Sequence, residues 1–206
     1  MKNGRWLEIA RELQSLGQTG LAFSEIDYDK QRYERIVDIS AEIVSSYTTL
    51  EKENTKKVFM QQPGYATPKI DVRAAVIQDD KILLVREKSD GLWAMPGGWA
   101  DVGDIPSMVA ERETLEESGY IVKAKKLVGV FDANRSGRPM EFFHAFKIIF
   151  ICELIGGTAQ PSDETTEVGF FDFNQLPQLS SNRTNERHLN VIQEHLINNL
   201  MQTSFD

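Results

Sequence analysis

The sequence predicts an α+β protein: a mixed β-sheet sandwiched between helices, preceded by a small all-helical domain. Three observations carry this expectation. Helical hydrophobic spacing dominates residues 1–66. β-prone apolar runs begin abruptly at Ile70. Two further helical stretches, around 105–118 and 183–201, interrupt and then close the series of strands. The length agrees, since 206 residues suffice for one ordinary domain and an appendage.

Taken in order, Trp6, Ile9, Ala10, Leu13 and Leu16 recur at helical spacing, and Gly17 and Gly20 read as a stop. A second helix is expected from about Asp29 to Glu53. Tyr33, Ile36, Val37, Ser40, Ile43, Val44 and Tyr47 mark its buried face, and Asp27 or Asp29 is placed to cap it. The stretch Pro63-Gly64-Tyr65-Ala66-Thr67-Pro68 reads as a linker, so the expected domains are 1–66 and 67–206. Val72 to Ile77 and Ile82 to Val85 are β-prone runs separated by Gln78-Asp79-Asp80-Lys81, which predicts a hairpin. Tyr120 to Phe131, Glu141 to Leu154 and Val168 to Phe173 are further strands. A helix from about Arg183 to Met201 carries Leu189, Ile192, Leu196 and Leu200.

Composition removes several function classes. The net charge is −8, and Lys and Arg are scattered rather than gathered in a stripe, which disfavours nucleic-acid binding. No apolar run reaches the ~18–20 residues that cross a bilayer, and the first residues lack a secretory signal, so a cytoplasmic location is expected. Cys152 is the single cysteine and sits in a strand-like apolar run, which suits a small core residue. His144, His188 and His195 lack zinc spacing, and neither Gly-x-Ser-x-Gly nor a phosphate-binding Gly-x-x-x-x-Gly-Lys loop occurs.

The chemistry is concentrated between Gly97 and Tyr120. Pro106 suits a first helical turn, Asp104 precedes it as a possible N-cap, and Gly119 suits a helix stop. A helix of about fourteen residues therefore follows a glycine-rich loop. At ~100° per residue, Glu113, Glu116 and Glu117 share roughly a 100° arc, with Met108 and Leu115 opposite as apolar anchors. Clustered carboxylates repel one another, and a hard divalent cation converts that repulsion into binding. A solvated acidic face has the same periodicity, so spacing alone leaves both readings open.

The stretch Gly98 to Tyr120 resembles the Nudix box: Gly, five residues, an acidic position, seven residues, then Arg112-Glu113-Thr114-Leu115-Glu116-Glu117-Ser118-Gly119-Tyr120. Leu92-Trp93-Ala94-Met95-Pro96-Gly97 resembles the family's approach to the box. Two positions depart from the pattern: Asp104 stands where Glu is usual, and Thr114 where a bulkier hydrophobe is usual. The resemblance implies a Nudix-like α/β/α sandwich whose box forms loop, helix and loop.

It further implies that Glu113, Glu116 and Glu117, with the Gly98 carbonyl, hold two or three Mg²⁺ ions (Mn²⁺ substituting). By the same resemblance Arg112 is expected to orient the glutamates, and Asp104 either to cap the helix or to reach Arg112. The family often adds a loop carboxylate; Glu164 suits that place as ligand or general base, and Glu167 is its rival. Arg73 and Arg86 are candidates for the substrate phosphates. Trp99 and Phe131 are candidates for stacking on a base; Arg135 and Arg138 are expected in a hairpin loop, solvated in preference to touching substrate. The catalytic set is thus Glu116, Glu117, Glu164 and Arg112.

The N-terminal residues Trp6 to Leu21, with Tyr28-Asp29 and Arg32-Tyr33-Glu34, are similar to the helical extension of bacterial Nudix enzymes associated with ADP-ribose and CDP-choline. That likeness implies a pyrophosphatase acting on a nucleoside diphosphate joined to a small group, and a homodimer formed through the extension. A nucleotide sensor without catalysis and a nucleoside triphosphatase are the alternatives.

Overall fold

The computed structural model describes residues 5–61, 64–133 and 143–206, which divide into two compact units. The first contains the described residues up to Pro68, with 143–144. The second contains the rest from Lys69.

The first unit is helical. Helix α1 spans Arg5–Phe23, α2 spans Asp27–Tyr47 and α3 spans Lys52–Phe59. Gly17 and Gly20 do not stop α1. They lie inside it, where α1 presses against α2. A Cβ on Gly17 would sit 2.7 Å from Val37 Cγ2 and 2.9 Å from the Tyr33 carbonyl, and one on Gly20 would enter the Tyr33 ring. The contact continues in a hydrogen bond from the buried Ser40 hydroxyl to the Ala10 carbonyl (2.6 Å). Leu7, Ala10, Ala41, Val44 and Phe59 form the core.

The expected single helix 29–53 is two helices. The Thr48 hydroxyl donates to the Val44 carbonyl and accepts from the Leu50 N–H, satisfying groups that a continuing helix would use. Asp27 and Asp29 lie in the first turn of α2 rather than capping it, and the N-cap is Ile26.

The second unit is a mixed sheet between helices, as expected. Its strands are β1 (Lys69–Gln78), β2 (Lys81–Glu87), β3 (Trp93–Ala94), β4 (Gly97–Trp99), β5 (Tyr120–Asp132), β6 (Ala145–Gly157), β7 (Thr165–Asp172) and β8 (Ser204–Phe205). Their order is β3-β2-β1-β6-β5-β8, with β4 also on β1 and β7 on β2. β1 runs parallel to β6, and the β1–β2 hairpin is antiparallel. Asp79 and Asp80 turn that hairpin with φ of 49° and 59°, the two-residue left-handed turn whose twist suits the flanking strands.

Six successive buried residues in β1 show that both faces are covered. Helix α4 (Pro106–Ser118) closes one face, placing Val109 and Ala110 on Val72, Ala74, Val76, Leu83, Val122 and Cys152. Helix α5 (Glu186–Ile197) closes the other, placing Leu189 and Ile192 on Ala75, Ile82, Leu84, Met95, Val128, Phe131 and Ile149. The Asn185 side chain caps α5 by accepting from the His188 N–H. The expected α5 range was longer: residues 198–201 lie beyond the helix, and Leu200 is exposed. Part of the expected Glu141–Leu154 strand, and both Arg135 and Arg138, lie outside the described residues. No helix among the described residues is long and apolar enough to cross a membrane.

The packing of α1 yields a signed prediction. An exposed Gly→Ala change inside a helix gains up to ~1 kcal/mol, whereas forcing a methyl into a filled contact costs ~1–3 kcal/mol. Gly17→Ala is therefore expected to lower the melting temperature measured by circular dichroism. A rise would mean that the contact is loose.

Candidate active site

The site is built where β1 exchanges partners. β1 pairs with β4 over Asp71–Arg73 and with β2 only at Ile77–Gln78. Gly97, at φ +145°, lies directly on β1: a Cβ there would be 2.0 Å from the Val72 carbonyl. Only glycine fits this approach. The peptide so placed points its N–H at helix α4, where it donates to Glu117 Oε2 (2.9 Å).

Helix α4 starts at Pro106 and ends at Gly119, whose φ of +74° is the left-handed stop expected from sequence. Its N-cap is Ile105, not Asp104, and makes no side-chain cap. Asp104 instead accepts from the Asp101 N–H and from Arg112 (3.1 Å), closing the loop before the helix. Val109, Ala110, Thr114 and Ser118 form the face toward the sheet. Met108 (58% exposed) and Leu115 (49% exposed) face solvent and are not anchors. The helix buries its small residues instead, which lets it approach the sheet closely. Thr114 fits this role: it is fully buried, and its hydroxyl bonds to the Ala110 carbonyl (2.7 Å).

Because the buried face lies beside the glutamate arc, the three glutamates differ in exposure. Glu117 is 5% exposed, Glu113 is half-buried and Glu116 is exposed. Burial pushes the Glu117 carboxyl up to about 8, although Arg73 and the Gly97 N–H pull the other way, while Glu87 and Glu113 add to the rise. Burial also raises Glu113, opposed by Arg112 and reinforced by Glu116 and Glu164. Arg112 reaches Glu113 (2.9 Å), Glu116 (3.5 Å) and Asp104. A Cβ on Gly98 would lie 2.9 Å from Glu113 Oε2, so the glycine leaves room for that carboxylate beside the loop.

Among the described residues, no three His, Cys, Asp or Glu side chains close into a preformed cation cage. The donor chemistry nevertheless suits a hard cation. It comprises carboxylate oxygens only, one of them buried, next to a glycine that makes space.

The loop before β7 meets the C-terminal end of α4. The buried Thr165 hydroxyl donates to the Glu117 carbonyl (2.7 Å), and Ser162 and Thr165 bond each other and the loop backbone. Glu164 on this loop is exposed, and its charge adds to the rise of the Glu113 and Glu87 carboxyls. Glu167 points elsewhere, paired with Arg86 across the β2–β7 ladder. Arg86 also donates to the Gly91 carbonyl, so both of its established contacts are within the protein. Trp99 is 46% exposed on β4 and is free to meet a ligand. Phe131 belongs to the core against α5, which corrects its candidacy for stacking on a base.

Sequence reading missed four charged residues here. Arg73, a candidate for the phosphates, is only 6% exposed; Asp71 beside it accepts from Arg73 Nε and from Lys147, both buried. Lys147 also donates to the carbonyls of Asn182 and Arg183. Arg183 in turn meets Glu87 (3.3 Å), Asp90 and Ser89. Burial raises the Glu87 carboxyl, opposed by Arg183 and Arg73. Burial disfavours the Asp71 charge too, yet Arg73 and Lys147 more than offset it and hold the carboxyl below its ordinary range. Asp71 and Arg73 at i and i+2 within an apolar run were the signal available in the sequence.

Two family models match the chain. Residues 4–59 match a UDP-X-like, N-terminal oligomerisation domain, and residues 67–194 match a NUDIX domain. A Bacillus subtilis (strain 168) protein with the provisional name ADP-ribose pyrophosphatase is 37% identical over 202 residues, covering 98% of this chain and 97% of that protein. The crystal structure of an ADP-ribose pyrophosphatase from Streptococcus suis 89-1591 is 38% identical with a TM-score of 0.62, covering 68% of this chain and all of its own. A UDP-X diphosphatase structure is 30% identical with a TM-score of 0.64 and full coverage of both chains.

The buried Glu117 gives a prediction for the metal-free protein. Its folded-state pKa lies above the unfolded one, so folding favours the protonated carboxyl. Stability in EDTA should fall as pH rises from about 4.5 to about 8 and level off above that. Glu117→Gln should flatten that part of a thermal-melt profile and raise the melting temperature at pH 8. An unchanged profile would place the carboxylate in water.

Proposed function

The chain belongs to the Nudix family, and from that premise we propose that it is a divalent-cation-dependent pyrophosphohydrolase acting on a nucleoside diphosphate joined to a small group. ADP-ribose is the foremost substrate, with UDP-linked groups and CDP-choline in the same class. The carrying observation is Glu117: a buried carboxylate held by the Gly97 N–H, on the helix that also presents Glu113 and Glu116.

In this reading Glu113, Glu116 and Glu117, with the Gly98 carbonyl, hold Mg²⁺ or Mn²⁺. The ions, when bound, neutralise the pyrophosphate oxygens and acidify the attacking water. The chain supplies the rest. Arg112 keeps Glu113 and Glu116 in register and ties them to the loop through Asp104. Glu164 takes the proton of the water, or completes the ligand set, from a loop fixed to the helix end by Thr165. Water adds its oxygen to one phosphorus, the bridging oxygen leaves with the other, and the products are a nucleoside monophosphate and a phosphorylated partner. Trp99 stacks on the base.

The relatives support a linked diphosphate over a triphosphate. Those compared above carry ADP-ribose or UDP-X names, and two of them match along nearly the whole chain. The match of the first unit to an oligomerisation domain supports a homodimer through α1–α3.

The test is a substrate panel with Mg²⁺ and with Mn²⁺, scored by product mass. ADP-ribose should yield AMP and ribose 5-phosphate, and EDTA should abolish turnover. Absence of hydrolysis across ADP-ribose, UDP-linked sugars, CDP-choline and triphosphates would sink the reading. Two variants separate the loop carboxylates. Glu164→Gln should lower kcat by roughly 10²-fold or more, the scale of general acid–base catalysis, and Glu167→Gln by no more than about threefold. The reverse order would exchange their roles.

A further inference from the structure

We propose that Arg73 is a positioning residue for the cation site, not a phosphate-binding one: it fixes the Met95–Gly97 segment so that the Gly97 N–H meets and holds the Glu117 carboxylate. The inference rests on the cation site proposed above. A phosphate-binding arginine offers its planar fork to the ligand's oxygens. Arg73 is buried, with Nε donating to Asp71 (2.8 Å) and Nη1 to the Met95 carbonyl (3.1 Å). Asp71 is itself held by Lys147, so turning Arg73 outward would break up a buried ion network.

The grip on Met95 has two sides. Arg73 takes its carbonyl, and the fully buried Thr184 hydroxyl accepts its N–H (2.8 Å). Pro96 follows, and its carbonyl accepts from the Ala74 N–H (2.9 Å). Gly97 then rests on Arg73 itself: a Cβ there would be 2.8 Å from Arg73 Cα and 3.0 Å from Cδ. The Gly97 N–H emerges from this stack to bond Glu117. A short chain of contacts thus runs from the Arg73 fork, through three residues of backbone, to Glu117. The Arg73 charge also acts on Glu117, Glu113 and Glu87, so the same residue offsets part of the repulsion among these carboxylates.

The two roles separate in kinetics and in metal binding. Arg73→Met removes charge and fork at similar volume, and Arg73→Lys keeps the charge but loses the fork. Mn²⁺ binding is measured by calorimetry without nucleotide, and kcat and KM are measured with ADP-ribose. Positioning predicts Mn²⁺ affinity weakened about tenfold or more in Arg73→Met, as for other supporting residues around metal ligands. It also predicts a matching fall in kcat and a KM for ADP-ribose within about twofold of the wild type. Arg73→Lys should recover part of the loss. If Arg73→Met does not fold, Arg73→Lys carries the test on the same criteria. Unchanged Mn²⁺ affinity and kcat with a KM raised about tenfold would make Arg73 a substrate ligand and overturn the inference alone. No change in any of the three would overturn it as well. Wild-type protein that neither binds Mn²⁺ nor hydrolyses ADP-ribose would overturn the proposed function, and this inference with it.

Discussion

The site depends on one buried arrangement of charge: Asp71 held between Arg73 and Lys147 at the end of β1. Each of these side chains is nearly inaccessible. An uncompensated ion there costs several kcal/mol, so the three must be placed together or not at all. The positive charge of Arg73 also acts on the buried Glu117 and opposes the cost of burying it. That attraction helps an acidic helix end, since Glu116 and Glu117 stand where the helix dipole favours cations. Lys147 also grips the backbone at Asn182 and Arg183, and Arg183 binds Glu87. The segment before α5 is tied by these contacts to the strands beneath the glutamates.

Each unit has its own close-contact device. In the helical unit, Gly17 and Gly20 bring two helices together. In the sheet unit, Gly97 brings a loop onto a strand, and the small residues Ala110, Thr114 and Ser118 bring α4 onto the sheet. In the second case the closeness has a chemical consequence. It carries Glu117 out of water while leaving Glu116 in it, so one helix presents carboxylates in different environments.

Much of this was legible in the sequence, and the gaps have physical causes. The β1–β2 hairpin and the helix stop at Gly119 are local signals and emerged at the expected residues. The reach of Asp104 to Arg112 was one of the two roles that the resemblance to the box left open, and the structure takes it in place of the helix cap. Gly17 and Gly20 were ambiguous because glycine serves both to end a helix and to admit a neighbour. Met108 and Leu115 do lie opposite the glutamates, but that side is solvent. Apolar character alone does not say which side of a helix meets the sheet. Lys147 could not be assigned, because its partnership with Asp71 comes from the parallel register of β1 on β6, 76 residues away in sequence. Glu87 was hidden for the same reason: it becomes part of the site only when β2 pairs with β7 and Arg183 returns to meet it.

The central claim is that the glutamate face of α4 holds divalent cations together with the Gly98 carbonyl. The most direct measurement is the anomalous difference density of crystals soaked in Mn²⁺. The account predicts peaks at roughly 2.0–2.3 Å from carboxylate oxygens of Glu117 and Glu113 and from the Gly98 carbonyl, as oxygen ligation of such ions requires. Manganese bound elsewhere, with no peak along α4, would contradict it.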